Sequence, residues 1–547
     1  MMQKTDFRTV SSETALRALA QRQRKMPGPD TLRCALQSGL APACAEADPG
    51  PCATTPEEWL AQETAFLGYR MELLLRRTEM RLLTLEALDT LAVRLGQTGR
   101  TAAGIARMEE DLTQAVQSPS MSRSKQDHLV ATLLADCRIA DRAWTELAGR
   151  FAGYSPDGAW ATVFNLFPTR RTMFTCIRSR GPVSVWQGKR RLPSQFIDGD
   201  DATAIELEMD GLSIQSLRIE PDGPQYTSRP VTKPYRFEND VLRVVVQPDG
   251  RVTDFTSLRH GLQLREGNLL RGAWRDASGH VRTLRGEDMP VTARVVRGEL
   301  FDNLYLHGEK DGIGMAMVLY LPHHGSRRIE IMLDLTLSES VREDFIHSEG
   351  ALWLEWHSTM PSPRILCDRP FGWTRCQDGE ILRSANGVAL TVNGSGIILD
   401  HQGVTRGWAH HGTLYTLLGK GGAGAGNDAP AGQLDARTKD APELHMWRYF
   451  YALDLADCDE PEDLFGRIMS YQYPMLPLRT PQPLDTGSLL KMGDGLIPTA
   501  FFCRDGQCMV RGWNAAAEPR PLHAAGTWGF SSGRALEPFG IFEQALY

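Results

Sequence analysis

The sequence predicts an α+β protein, with an N-terminal three-helix bundle followed by large antiparallel β-sandwich domains. Three observations carry this. Apolar residues recur at helical spacing only as far as about residue 151. From Trp160 the pattern changes to alternation and β-branched runs, punctuated by tight-turn dipeptides. The chain has 547 residues, whereas a single core stops growing at roughly 250–300, so about two to four domains are expected.

The first unit, 1–56, holds one short amphipathic piece (11–24) and then an irregular segment rich in Pro, Ala and Gly. Residues 57–155 form the expected bundle. Thr55 is a helix cap, with Pro56 at the first helical position and Glu57 and Glu58 in the first turn. The run 57–95 places Leu67, Met71, Leu74, Leu82 and Leu85 at helical spacing, with Arg and Glu opposite. A second helix is expected over 102–116. A third is expected over 125–151, with Leu129, Leu133, Ala140 and Trp144 on one side.

Residues 156–476 read as a large β-sandwich region. WATVFNLF, RTMFTCIRS, LRVVVQ, AMVLYL, RRIEIMLDLTL and GVALTVN are the clearest strands. Turn signals separate them: Pro248 to Gly250, Asp210-Gly211, Asn386-Gly387 and Asn393-Gly394. No useful helical period returns until 461–471. The stretch 419–432, GKGGAGAGNDAPAG, reads as a flexible loop; it lacks the strand-to-helix context and the Lys-Ser/Thr of a phosphate cradle. PLRTPQP (477–483) reads as a linker into a small β unit, 477–547, with strands near 498–502 and 507–514.

Hydrophobic residues make up 42% and charged residues 23%, the balance of an ordinary soluble protein. The net charge of −7 argues against nucleic acid or an anionic membrane as the main partner. The polar first residues lack a signal-peptide core, and no apolar run approaches the ~20 residues of a membrane span, so a cytoplasmic chain is expected. Ten cysteines occur without CxxC spacing and read as reduced thiols; Cys34, Cys44 and Cys52 lack His or Asp at ligand spacing.

Several stretches, in order along the chain, resemble the part of the family 38 glycoside hydrolases (α-mannosidases) that follows their catalytic barrel. Residues 69–88 resemble the first bundle helix. Residues 161–177 resemble the strand that opens the first β domain, supplying Phe164, Asn165 and Arg170 or Arg171. LPSQF (192–196) matches a following motif, and the EN-to-DG hairpin within 235–264 is the clearest match. RPFGWTR (369–375) and 498–519 complete the series. The resemblance implies a galactose-mutarotase-like supersandwich. It also implies an α-mannosidase-like protein of carbohydrate metabolism.

Two departures qualify that implication. In the family, the barrel holds a His-x-Asp metal pair, the nucleophilic Asp and the acid/base carboxylate; here only 7–21 resembles its last segment. The family bundle contributes a zinc ligand through a Gln-His-His-Asp stretch. With Ser124, Lys125 and Gln126 keeping the register, the two His positions fall on Val116 and Gln117 and the Asp on Ser118. An amide and a hydroxyl do not replace imidazole and carboxylate on zinc, and His128 lies too far along the helix. The resemblance therefore implies no bound cofactor and a protein inactive alone, binding an α-mannoside or serving as a scaffold. The alternatives are a subunit completing an α-mannosidase with a separately encoded barrel, and a structural interaction protein that does not bind sugar.

Retaining glycosidases need two carboxyl groups about 5–5.5 Å apart. Asp200 with Asp201, Glu343 with Asp344, and Glu206 with Glu208 are the candidate pairs, and each reads better as solvated loop or strand-face charge. His323-His324 and His410-His411 could ligate metal, but adjacent histidines on a strand face opposite ways. No nucleophile elbow accompanies a Ser/His/Asp set. Sugar rings stack on Trp or Tyr while Arg, His, Asn or Asp bind their hydroxyls. Among Trp353, Trp356, Trp373 and Trp408, Trp353 reads as core. Trp373, Arg375, Arg406, Trp408 and His410, flanked by glycine in expected loops, form the candidate carbohydrate site.

Overall fold

The computed structural model describes residues 52–63, 69–94, 107–108, 111 and 123–546, apart from short stretches at 198–200, 222, 224–225, 227, 349, 370–371, 385, 405, 458–459, 474, 505–506 and 539 and the segment 422–445. Nearly all of the helix expected over 102–116 lies outside these residues, as do Cys34, Cys44, Gln117, Ser118 and Asp200. The described chain is mostly antiparallel sheet with five helices: α1 (Pro56–Gln62), α2 (Tyr69–Arg94), α3 (Arg123–Ala152), α4 (Glu339–His347) and α5 (Pro461–Gln472). It is an α+β protein with β-sandwich domains, as the periodicity predicts.

Helices α2 and α3 are the described long members of the bundle. Thr78 meets Cys137 at 3.3 Å and Arg81 meets Asp141 at 2.8 Å. Positions rise together along both helices, so the two run parallel, as the first and third helices of an up-down-up bundle do. Leu85, Leu88 and Leu91 of α2 and Leu147 of α3 are buried in one core with Phe164, Phe501 and Val510. The bundle is thus clamped between the opening β domain and the C-terminal unit.

The expected single run 57–95 is divided. Helix α1 starts at Thr55, whose side chain accepts from Glu58 N, with Pro56 following as the sequence predicts. It packs on the large sandwich rather than on the bundle, because its Trp59 is fully buried there, stacked 6.1 Å from Trp408.

A small sandwich follows α3. Its first sheet orders the strands Leu476–Thr480, Trp160–Asn165, Ser213–Pro221, Val183–Gln187 and Arg190–Leu192. Its second orders Arg171–Arg178, Ala202–Met209 and Ser194–Ile197. Ala161, Val163, Ile205 and Leu217 fill the space between them. The strand Trp160–Asn165 is buried on both faces, since Phe164 points the other way into the bundle core.

The residues 477–480, expected as part of a linker, are instead an edge strand. Thr480 Oγ1 bonds Thr162 Oγ1 at 2.8 Å, and Arg479 Nε donates to Gly158 O at 2.8 Å. Pro477 is tolerated because the strand has a neighbour on one side only.

Asn165 spends its whole side chain at the end of its strand. Nδ2 donates to Thr169 O and Asp210 O at 3.1 and 2.6 Å; Oδ1 accepts from Phe167 N and Arg171 Nε at 3.2 and 2.9 Å. Of the two arginines that follow, Arg171 is the buried one, also donating to Ser470 O and Tyr473 O; burial pulls its guanidinium down to about 9. Arg170 is exposed and pairs with Glu208. The substitution Asn165→Ala leaves buried partners unsatisfied, so a loss of about 2 kcal/mol in unfolding free energy is expected, read as a lower urea midpoint. An unchanged midpoint would contradict this reading of the hub.

The large sandwich joins a nine-stranded and a ten-stranded sheet. Alternation sets its faces. On Arg328–Leu337, Ile329, Ile331, Leu333 and Leu335 enter the core, while Glu330, Met332 and Asp334 face outward. Leu264, Leu270, Leu354 and Trp356 face them from the other sheet.

Two local expectations differ here. Asn386-Gly387 is not a hairpin turn: Asp368 binds Asn386 N, Asn386 Nδ2 and Gly387 N, so the dipeptide feeds directly into the strand Gly387–Val392. Gly419 and Lys420, expected in a flexible loop, belong to the strand Thr413–Lys420. Asn393 and Gly394, with φ of 51° and 74°, do make the two-residue turn their sequence predicts. The C-terminal unit is built from two three-stranded sheets, among them Leu496–Arg504 paired with Gln507–Asn514. Among the described residues no helix is long and apolar enough to cross a membrane.

Candidate functional site

The five residues of the expected carbohydrate site do not converge. Trp373 and Arg375 lie on Gly372–Cys376 in the ten-stranded sheet; Arg406, Trp408 and His410 lie on Arg406–His410 in the nine-stranded sheet. Trp373 is 6% exposed, packed in a core with Leu366 and Phe465, and Arg364 covers its ring. Trp408 is 1% exposed, lies against Trp59 and Tyr415, and donates Nε1 to Gly379 O at 3.0 Å. Neither indole offers an open face to a sugar. Glycine neighbours suggested loops, but both tryptophans sit on strands whose partners cover them. Arg375 is exposed, beside the buried Trp373.

Arg406 has a different employer. It lies 3.4 Å from the fully buried carboxylate of Glu63, which also takes both arms of Arg383 at 2.7 and 2.8 Å and Trp59 Nε1 at 3.1 Å. Lys420 Nζ donates to Glu63 O at 2.8 Å. This cluster pins α1 to the sandwich. His410 stacks on Trp408 with ring centroids 5.2 Å apart and reaches the surface beside His411.

The other sequence candidates are placed as follows. Glu343 and Asp344 lie on α4, a helix hidden in the sequence by its nine-residue length; Ser338 caps it, accepting from Val341 N. Glu206 and Glu208 share a strand face, with Glu208 held by Arg170 and the Glu206 carboxyl raised by burial. Asp201 is an exposed turn residue with φ of 46°. His323 bonds Asp302 at 3.0 Å, and Asp302 in turn accepts from Tyr235 OH, so this histidine braces the sandwich edge. Trp353 is half-buried with its Nε1 on Glu355; Trp356 is core.

A large concave feature among the described residues lies elsewhere. An open cleft of about 2120 Å³ runs where α2, α3, the small sandwich and the outer face of the ten-stranded sheet meet. That volume exceeds the ~300–1,000 Å³ of ordinary small-molecule pockets. It suits an extended ligand better than one sugar ring. Its aromatic lining comes from Trp144, Tyr154, Phe174, Phe450 and Tyr471. Tyr154 is 55% exposed. Phe450 is half-buried, with the Arg77 guanidinium 4.9 Å from its ring centre.

Charge lines the same walls. Arg448 is bidentate to Asp334 at 2.7 Å on both arms, and Arg81 pairs with Asp141. Arg142, Arg178 and Arg180 reach the cleft exposed and without an ion pair among the described residues. Glu330 lines the floor with its carboxyl raised, first by burial, with Asp454 adding and Arg328 opposing. Sequence reasoning missed this cleft because its residues come from segments far apart in the chain, none carrying a local motif. The one available signal is the strand Met446–Ala456, where Arg448 and Phe450 alternate outward from a buried run.

No protein-family model matches the sequence, and the comparison with curated proteins gives no match. Solved structures do match. An α-mannosidase from Enterococcus faecalis V583 superposes with a TM-score of 0.66 at 11% identity, covering 88% of this chain and 68% of the other. A protein in the glycosyl hydrolase family 38 from Enterococcus faecalis gives a TM-score of 0.66 at 12% identity, covering 88% and 71%. At such identities the likeness is one of fold: the chain has a family 38-like architecture of helices and β-sandwiches.

Proposed function

We propose that this family 38-like protein recognises α-mannoside chains in the cleft and does not hydrolyse them by itself. The observation that carries this reading is the cleft itself: an open, extended trough in which Phe450, Phe174 and Tyr154 stand beside Arg142, Arg178 and Arg180. Aromatic faces stack on the apolar face of a pyranose, and guanidinium groups donate to its hydroxyls. The neighbouring structures, one of them an α-mannosidase, supply the sugar class. The non-catalytic half of the reading rests on the acids lining the cleft. Asp141 is tied to Arg81, Glu330 is set among Arg328 and Asp454 in the sheet floor, and Glu146, Asp157 and Asp201 are exposed surface carboxylates.

The test is calorimetric titration with mannose and α-mannobiose, run beside turnover of a nitrophenyl α-mannoside with zinc added. Binding without turnover is expected, tighter for the disaccharide. Phe450→Ala is expected to weaken it about tenfold, the worth of one lost stacking face. Turnover by the chain alone would overturn the non-catalytic half. Turnover only when a separate barrel protein is added would identify a subunit of an α-mannosidase. Absence of any binding would leave the scaffold role and remove the sugar.

A further inference from the structure

The turn His410-His411-Gly412-Thr413 joins the strands Arg406–His410 and Thr413–Lys420, with His410 paired to Thr413. His411 and Gly412 are therefore the two loop residues, and both have positive φ, 49° and 75°. This is the hairpin turn that calls for left-handed backbone, and a histidine occupies one of its two positions. The consequence is geometric. Two adjacent histidines on an extended strand would face apart; here the left-handed residue turns the second ring back onto the first, with centroids 3.9 Å apart.

Asp378, from the turn before Gly379, completes the group. Its Oδ1 accepts from His411 N at 2.8 Å, which fixes the carboxylate and leaves Oδ2 toward the rings. Oδ2 lies 3.3 Å from His410 Nδ1 and 3.6 Å from His411 Nδ1. His410 Nδ1 is buried and has no hydrogen-bond partner among the described residues. The three ligand atoms fall within 4.8 Å of one another. Ligands at about 2.0–2.1 Å around a tetrahedral ion are about 3.3 Å apart, so the two edges from Asp378, at 3.3 and 3.6 Å, are close to those of a coordination sphere.

From these distances we infer that Asp378, His410 and His411 bind a divalent transition-metal ion of the zinc class. Two imidazoles and a carboxylate are borderline donors, suited to zinc, cobalt or nickel rather than calcium or magnesium. The His410 ring is held by its stack on Trp408, and the carboxylate by the His411 amide, so both are oriented before the ion arrives. His411 is the exposed member, its side chain 81% accessible. The remaining coordination positions therefore face solvent, open to water or to a ligand group from a partner.

The test is zinc titration of the full chain against a chromophoric chelator, repeated with cobalt by visible absorption. The variants are His411→Asn, His410→Gln and Asp378→Asn. Asparagine tolerates positive φ, so His411→Asn keeps the turn while removing the imidazole. The wild type is expected to bind one equivalent more than His411→Asn, or to bind that equivalent at least tenfold more tightly, with the same ordering for His410→Gln. The melting temperature without metal should be unchanged for His411→Asn, which separates lost ligation from lost folding. Equal stoichiometry and affinity in wild type and His411→Asn would overturn the assignment, whatever zinc binds elsewhere on the chain.

Discussion

Replacing Asp400 by asparagine is expected to stabilise the protein, by an amount that grows as pH rises from about 4 to about 8. Asp400 sits on the strand Ser395–His401, is 0% exposed, and neither of its carboxylate oxygens has a hydrogen-bond partner among the described residues. Across the sheet, Ala452 pairs with both Asp400 and Glu330, so the two acids flank it on one face. Asp454 lies in the same cluster, bound by Arg467 at 2.5 Å and approached by Arg328 at 3.7 Å. Arg467 also reaches Asp457 at 3.4 Å, which Arg327 pairs, so four carboxyl groups share three guanidiniums.

One proton balances that set, and burial places it on Asp400. Desolvation pushes this carboxyl from 3.8 to about 8, with Arg328 pulling it down and Asp454 pushing it further up. Below about pH 4 the group is protonated in the folded and the unfolded chain alike, and contributes no pH dependence. Between about 4 and 8 the folded protein keeps a proton that the unfolded chain has released. Stability then falls with rising pH by up to about 1.4 kcal/mol per unit. An amide is neutral throughout and escapes this loss. Urea unfolding of wild type and Asp400→Asn should therefore give curves whose separation is small at pH 5 and on the order of 4 kcal/mol at pH 8. A separation independent of pH would show that Asp400 ionises normally.

The second large effect is expected at Glu63. This carboxylate is fully buried and meets Arg383, Arg406 and Trp59, while its carbonyl takes Lys420. Glu63→Gln keeps the shape but removes the negative charge that pairs with the half-buried guanidiniums of Arg383 and Arg406. Breaking a buried pair by neutralising one partner costs about 3–5 kcal/mol, and here Arg383 loses the carboxylate that takes both its arms. The melting temperature should fall by many degrees. The release should be local: α1 should become the first site cut in limited proteolysis, and tryptophan emission should shift red as Trp59 and Trp408 meet water. A double variant with Arg383→Met is expected to lose less than the sum of the two single changes. Additive losses, with α1 still protected, would mean that Trp59 packing alone holds the helix.

Glu63 also shows where sequence reading stops. Strands such as Arg328–Leu337 were legible because their two faces meet different surroundings, and alternation records that. The capping of α1 was legible because Thr55, Pro56 and Glu58 are neighbours. Arg406 was noticed as a polar residue among aromatics, yet its partner lies 343 positions away, and no local pattern points to it. Adjacent glycines make Trp373 and Trp408 look like loop aromatics; cover supplied by distant segments makes them core. The His410-His411 pair was set aside by a rule for extended strands, and one left-handed residue removed the rule's premise.

The edge strand Leu476–Thr480 has a consequence for how the chain comes together. Thr162 and Thr480, bonded in the finished protein, are 318 positions apart. The entire large sandwich is spliced between the last strand of the smaller one and the seven that precede it. During synthesis the strand Trp160–Asn165 must wait for a neighbour that emerges long after it. Non-local closure of this kind slows folding and leaves an unpaired edge exposed in the interval. A nascent chain halted before residue 476 would carry that edge open, and would be a stronger chaperone client than the completed protein.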